Sequence, residues 1–158
     1  MSISDSEKQR REAVEAMRRE DAGLVKEVIA TYGAGLDDFD SDRILDLFQF
    51  PLVIWQFGKG HVFEDEDELA ENVDALFKVF EREKVAQSVP TVRECVVTGD
   101  RALAEVDWEH LDATGEPVFG FSIGYFLVKD SGEWFIATVV NDEPDETPPL
   151  PPIPPIEG

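Results

Sequence analysis

The clearest alternation of apolar and polar residues lies between residues 101 and 141. Over residues 101–112 the two kinds alternate with a period of two, which predicts a strand with one buried face and one wet face. Residues 117–129 are almost continuously apolar, which is typical of a strand covered on both faces, and residues 134–140 are rich in aromatic and β-branched residues. Because short glycine-containing turns separate these runs, the pattern predicts an antiparallel meander.

Helical periodicity dominates the first part of the chain. Residues 4–20 form a charged helical stretch with five acidic side chains, five basic side chains and only a thin apolar stripe. Residues 24–36 carry apolar side chains at three- and four-residue spacing, which predicts a more strongly amphipathic helix. A short helix is expected over residues 42–50, with Pro51 ending it.

The middle of the chain alternates between short strands and one further helix. Residues 52–57 and 61–63 predict two short strands around a Gly-Lys-Gly turn, and residues 88–97 predict another strand. The acidic run at residues 64–68 begins a helix, because negative charge is favoured at the positive end of the helix dipole. The buried stripe of this helix is predicted to consist of Leu69, Val73, Leu76, Phe77 and Phe80.

Composition and charge argue against several classes of function. The chain has 158 residues, enough for one domain with tails, and a formal net charge of −21. This charge disfavours binding to nucleic acid or to anionic membranes, because both need Lys and Arg on the protein. We interpret it mainly as a solvated acidic surface, with attraction of a basic partner as the alternative. No apolar run is long enough to span a bilayer and no signal peptide is recognisable, so a cytoplasmic protein is expected.

The two ends of the chain differ in composition from its middle. Residues 143–158 contain seven of the ten prolines, which favours polyproline II. Because the charges beside these prolines are acidic, a spacer or a strap over the domain is favoured over an SH3-type recognition motif. We therefore divide the chain into an N-terminal helical extension (1–20), a central domain (21–142) and an acidic Pro-rich tail (143–158).

Three stretches, in this order along the chain, carry a resemblance to a known family. They are residues 44–48, which lead into a strand through Pro51, residues 60–69, where a glycine turn meets an acidic helix start, and residues 124–136, a terminal hairpin. The chain thereby resembles the nuclear-transport-factor-2-like (NTF2-like) superfamily, which includes the SnoaL-like polyketide cyclases and the ketosteroid isomerases. The resemblance implies an α+β cone, in which a curved, mixed or antiparallel sheet wraps around three helices. It also implies a cavity for small apolar molecules and a homodimer formed through the sheet.

The acidic groups of the ketosteroid isomerases have no counterpart at the matching positions. Their carboxylate base would fall within residues 55–58 and their carboxylic acid near Gly124, and neither place holds an acid. The cyclases use a His–Asp pair, for which this chain offers His110, with Asp112 two residues later. An imidazole on the more apolar face of its strand is a candidate acid or base near neutral pH, so His110 is the predicted catalytic residue. The alternative is a partly solvated histidine at the end of the strand.

Aromatic side chains are the candidates for the wall of a cavity. A largely apolar cavity with a few polar groups is typical of a small-ligand site, although aromatic side chains fill cores more often than they line pockets. Neither a cofactor nor a metal is predicted, since two distant histidines and the single Cys95 offer no ligand spacing. The predicted ligand-binding residues are Tyr32, Trp55, Phe57, Phe77, Trp108, Tyr125 and Asn141, the last at the mouth of the cavity.

Two functions are consistent with these observations. The first is a SnoaL-like domain that binds a small apolar molecule and whose reaction, if it has one, is proton transfer of the isomerase, cyclase or lyase kind at His110. The alternative is a non-catalytic dimeric interaction module, whose cavity is filled by its own aromatic side chains and whose acidic surface meets a basic protein. The sequence names neither the ligand nor the partner.

Overall fold

The computed structural model describes residues 4–142, so the Pro-rich tail lies outside the described residues. Six strands form one sheet in the order β2-β1-β6-β5-β4-β3, in which β1 pairs parallel to β6 and all other neighbours are antiparallel. The helices and strands are α1 (Asp5–Asp37), α2 (Ser41–Leu45), β1 (Phe48–Gln56), β2 (Lys59–Phe63), α3 (Glu66–Arg82), β3 (Gln87–Thr98), β4 (Arg101–Leu111), β5 (Pro117–Asp130) and β6 (Glu133–Asp142). The predicted α+β class, with three helices and a curved, open mixed sheet, is confirmed.

The first helix is a single element of 33 residues rather than the two predicted stretches. Its start is capped by Ser4, whose Oγ accepts a hydrogen bond from the Glu7 N–H at 3.3 Å. Residues 4–20 are exposed, whereas the second half of the helix is buried along one face. The helix continues through residue 21 because the Asp21 carboxylate is satisfied, accepting hydrogen bonds from Lys129 Nζ and Trp134 Nε1 at 3.1 Å each. The division of the chain at residues 20 and 142 stays a prediction.

The second helix ends earlier than predicted, and Pro51 lies inside β1 instead of ending a helix. The residues after Leu45 turn into a strand because Phe48 is buried in the core and aligns with Ile136 of β6. The β1–β6 pairing is irregular between Phe48 and Val53, which is where a proline without an N–H would interrupt a ladder. The helix predicted over residues 42–50 is therefore wrong in its second half.

The core lies between the inner face of the sheet and the helices. The Asp65 side chain caps α3 by accepting a hydrogen bond from the Glu68 N–H at 3.0 Å, and Glu66, Asp67 and Glu68 place negative charge in its first turn, as expected. The predicted stripe of α3 is buried except at Phe77. On β4 the alternation predicts the burial correctly, since Ala102, Ala104, Val106, Trp108 and His110 are all buried on one face.

Candidate ligand-binding site

A narrow cavity lies between the helices and the inner face of β1, β4, β5 and β6. Its empty space totals about 420 Å³ including the part open to solvent, but the space in which a water molecule can be centred is only about 20 Å³. That smaller volume holds about one water molecule. The cavity wall is aromatic at Tyr32, Phe80, Trp108 and Tyr125, aliphatic at Leu36, Ile54, Leu76, Ile123 and Val139, and polar at Gln56, His110 and Asn141.

The three polar residues of the wall each present a buried atom without a hydrogen-bond partner among residues 4–142. These atoms are Gln56 Nε2, His110 Nε2 and Asn141 Oδ1, and they come from β1, β4 and β6 respectively. A buried polar atom without a partner costs about 1–3 kcal/mol, so such atoms are rare unless something else satisfies them. Their convergence on one cavity gives it a few polar groups in an otherwise apolar wall, which is the composition of a small-molecule site.

His110 is held by one hydrogen bond and by three neighbouring aromatic rings. Its Nδ1 lies 2.8 Å from Ser88 Oγ, and its ring stacks on Trp108 with centroids 5.9 Å apart and planes 3° apart. The ring centroids of Phe80 and Phe121 lie 4.9 Å and 5.8 Å away. Burial lowers the pKa of His110 to about 4, because an imidazolium would lose its hydration there. The imidazole is therefore neutral at physiological pH, and its Nε2 has no hydrogen-bond partner among residues 4–142.

Two tyrosines and a tryptophan form the aromatic wall. Trp108 Nε1–H donates to the Tyr125 hydroxyl at 2.8 Å, and the Tyr32 ring packs against both rings at 5.6 Å and 6.4 Å. Burial raises the pKa of both tyrosines, so both phenols stay protonated. Among the described residues, none that lines the cavity is Asp, Glu, Lys or Arg. The site is therefore electrically neutral although the chain carries a charge of −21.

The structure brings five of the eight sequence-predicted site residues together and leaves three outside. Tyr32, Trp108, His110, Tyr125 and Asn141 line the cavity, while their roles in binding or catalysis stay predictions.

Trp55, Phe57 and Phe77 do not line this cavity, and their predicted role in ligand binding stays a prediction. Trp55 is 48% exposed on the opposite face of β1, where its ring covers Gly60 of the paired strand. Phe57 follows the end of β1 and is 37% exposed, and Phe77 is half-buried against Phe39, with ring centroids 5.1 Å apart.

Gln56 is the polar residue that the sequence analysis missed. The face of β1 that points inward carries Leu52, Ile54 and Gln56, whereas Trp55 lies on the opposite face. The sequence pattern that could have identified it is a polar residue at the same alternating positions of the strand as two aliphatic residues. Asp112, by contrast, accepts hydrogen bonds from Thr114 and from the Glu116 N–H within the turn after β4, so it does not act as the partner of His110.

A family model described as NTF2-like protein (DUF6841) matches residues 13–144, which is most of the chain. The chain belongs to this NTF2-like family. The resemblance drawn from the order of the helices and strands is therefore confirmed. A search of curated proteins finds no significant match to the sequence.

Several solved structures share this NTF2-like fold. A protein of unknown function with a cystatin-like fold from Nostoc punctiforme has a TM-score of 0.62 and 16% identity, covering 79% of this chain and 92% of that one. An NTF2-like protein of unknown function from Shewanella oneidensis has a TM-score of 0.61 and 14% identity, covering 77% of this chain and 98% of that one. A ketosteroid isomerase-like protein from Erwinia carotovora atroseptica has a TM-score of 0.57 and 18% identity, covering 79% and 98%. At these identities the similarity shows the fold alone.

No helix within residues 4–142 is long and apolar enough to cross a membrane. Within the same residues, no group of three or more His, Cys, Asp or Glu side chains is placed so that it could hold a metal ion.

Proposed function

We propose that this NTF2-like protein binds a small, largely apolar molecule in the cavity beside His110. The observation that carries the proposal is the convergence of three unpartnered polar atoms, from Gln56, His110 and Asn141, on one otherwise apolar cavity. A protein that merely filled its core would do better with aliphatic side chains at these positions, because they carry no desolvation cost. The narrow space favours a ligand of few heavy atoms.

Binding is better supported than catalysis. A proton-transfer catalyst works best with a pKa near the operating pH, and burial lowers the pKa of His110 to about 4. No carboxylate of residues 4–142 lines the cavity to assist the imidazole. We therefore assign His110 to hydrogen bonding with the ligand. If the protein catalyses a reaction, it is proton transfer at His110 Nε2.

A thermal-shift screen with uncharged, ring-shaped compounds tests the binding proposal. A ligand at 100 times its dissociation constant adds about 2.7 kcal/mol of stability, which is a shift of roughly 5–10 °C for a domain of this size. A variant with Val139→Ile, which adds one methylene group to the wall, is expected to lose the shift while unfolding at nearly the same temperature. A broad panel that shifts neither protein would contradict the proposal and favour a cavity filled by the protein's own side chains.

The outer face of the sheet supports a second proposal, self-association. Strand pairing aligns five residues across this face, and the Leu103 and Val96 side chains in this row are 54% and 47% exposed. We name these residues the outer row: Val53, Thr138, Phe126, Leu103 and Val96. Exposed apolar patches of this kind mark protein–protein contacts. We propose that the partner is a second copy of the chain, paired through this face, which makes the protein a homodimer.

A further inference from the structure

We propose that the cavity selects an uncharged ligand that carries a hydrogen-bond acceptor beside a hydrogen-bond donor, as a lactam or a hydroxy ketone does. This inference rests on the proposed function of the cavity as a binding site and adds the chemical class of the ligand. It has three parts, which concern the charge of the ligand, the pairing of its polar atoms and its shape.

The wall of the cavity disfavours a charged ligand. Its ionisable groups are His110, Tyr32 and Tyr125, and all three are held neutral by burial. A carboxylate or an ammonium group that entered would lose its hydration without gaining a partner of opposite charge from the described residues. A neutral polar ligand avoids this cost.

Two of the unpartnered atoms belong to neighbouring positions on paired strands. β1 and β6 run parallel, with Ile54 aligned with Val139 and Trp55 with Val140. Gln56 follows Trp55 and Asn141 follows Val140 in the chain. Both line the cavity, as Ile54 and Val139 do. Adjacent strands are about 4.8 Å apart, so the two amide side chains lie side by side. Gln56 Nε2 needs an acceptor and Asn141 Oδ1 needs a donor, which a ligand with both groups on adjoining atoms supplies together.

His110 adds a third polar contact that suits either role. When the Ser88 hydroxyl donates to Nδ1, the opposite nitrogen, Nε2, carries the proton and donates; when the hydroxyl accepts from Nδ1–H, Nε2 accepts. Ser88 is itself held in place, because its backbone N–H donates to Asp37 Oδ1 at 2.6 Å. The imidazole is thus a fixed group that adjusts its tautomer to the ligand, and not its position.

The remaining wall suits a flat ring. Trp108, Tyr125 and Tyr32 present aromatic surfaces on which a ring can stack. Because the space inside holds about one water molecule, a ring enters only when side chains of the wall move apart. 2-Pyridone is a matching probe, because it is a flat, uncharged ring with a carbonyl acceptor beside an N–H donor. Benzene is a flat ring of similar size without polar atoms, and benzoate has a negative charge.

Calorimetric titration of the full chain with these three probes tests the inference. We expect 2-pyridone to bind at least ten-fold more tightly than benzene and benzoate to show no binding. Gln56→Met, which preserves the length of the side chain, should weaken 2-pyridone at least ten-fold and leave benzene unchanged or tighter. Asn141→Leu should have the same effect, and it serves as the second variant if Gln56→Met unfolds.

The outcomes separate the inference from the proposed function. If benzene binds as tightly as 2-pyridone, or if benzoate binds best, the ligand class is wrong while the cavity remains a binding site. If 2-pyridone binds equally well to the wild type and to both variants, Gln56 and Asn141 do not recognise it and the inference fails. If none of the three probes binds, the ligand class is wrong, and a thermal-shift panel without any hit would show that the proposed function fails as well.

Discussion

His110 is the residue whose chemistry is changed most by its surroundings. It is 2% exposed, and its ring is enclosed by Trp108, Phe80 and Phe121. Its pKa is lowered from 6.5 to about 4 because burial penalises the charged form. The unfolded chain therefore binds more protons than the folded chain between pH 4 and pH 6.5, so stability from this group is complete above pH 6.5 and falls as the pH is lowered toward 4.

Replacing His110 with Gln should make the free energy of unfolding less sensitive to acid. Between pH 7 and pH 5 the wild type should lose about 2 kcal/mol through His110, a loss that the His110→Gln variant does not share. Urea denaturation at the two pH values measures the difference, and His61→Gln removes the other histidine as a control. Equal losses in the wild type and in His110→Gln would show that His110 is not buried in neutral form.

The sequence predicts residues of the wall where one face of a strand is clearly more apolar than the other. On β4 the alternation is regular, so the inward positions of Trp108 and His110 could be predicted. On β1 both faces are apolar, and Trp55, its largest side chain, lies on the exposed face. That choice depends on cross-strand packing, here of Trp55 over Gly60 of β2, which the pattern of a single strand does not contain.

At the scale of elements, α1 is positioned by two glycines near its C-terminal end. Gly35 is buried, and a Cβ atom added there would lie 2.7 Å from Cγ1 of Ile44 in α2. At Gly33 an added Cβ atom would lie 3.4 Å from both the Ser88 carbonyl oxygen and the Trp108 ring. These glycines allow α1 to lie directly against its neighbours, which helps to place Tyr32 over the cavity.

Two glycines of α1, Gly35 and Gly23, offer a matched test of this packing. Gly35→Ala should lower the free energy of unfolding by about 1–2 kcal/mol, because overpacking against Ile44 outweighs the better helix propensity of Ala. In Gly23→Ala no atom lies within 4 Å of the new Cβ, so this variant should raise the free energy of unfolding by about 0.5–1 kcal/mol. Chemical denaturation of both variants measures the two changes. A stabilising Gly35→Ala would mean that α1 and α2 are not in close contact.

The boundaries of elements could be predicted less well than their order. The charged stretch and the amphipathic stretch of the N-terminal region form one helix, because the buried Asp21 between them is satisfied by Lys129 and Trp134 from the distant β5–β6 hairpin. Pro51 was expected to end a helix, yet burial of Phe48 and Leu52 places it within a strand. Both differences arise from tertiary contacts that local periodicity does not report.

At the scale of the whole molecule, the sheet has two faces with different tasks. The inner face forms the core and the cavity, whereas the outer face exposes the apolar outer row beside a charged cluster. In that cluster Arg93 contacts Asp107 at 2.8 Å and Glu105 at 3.8 Å. The order of helices and strands was enough to predict the family and the cone, because that order is a property of the whole chain and tolerates local errors. The ligand was not predictable, because it depends on which few polar atoms meet.

The outer row leads to a prediction about the state of association. Wild-type protein should have the mass of a dimer in light scattering, and Leu103→Glu should shift it to the monomer by placing a charge in the apolar contact. Met17→Glu is the matched control, because Met17 is 60% exposed on α1 and lies outside the outer row. A wild-type monomer, or a Leu103→Glu protein that stays dimeric, would contradict pairing through the sheet.

The most direct measurement of binding in the cavity is a titration of ¹⁵N-labelled protein with 2-pyridone, followed through the indole N–H signals. The three tryptophans act as internal probes: Trp108 lines the cavity, Trp55 is exposed on the outer face, and Trp134 is held by Asp21. Binding in the cavity predicts a saturable change at Trp108 together with the His110 side-chain signals, while Trp55 and Trp134 stay unchanged. A constant Trp108 signal up to millimolar 2-pyridone, or a change confined to Trp55, would contradict a small-molecule site inside the sheet.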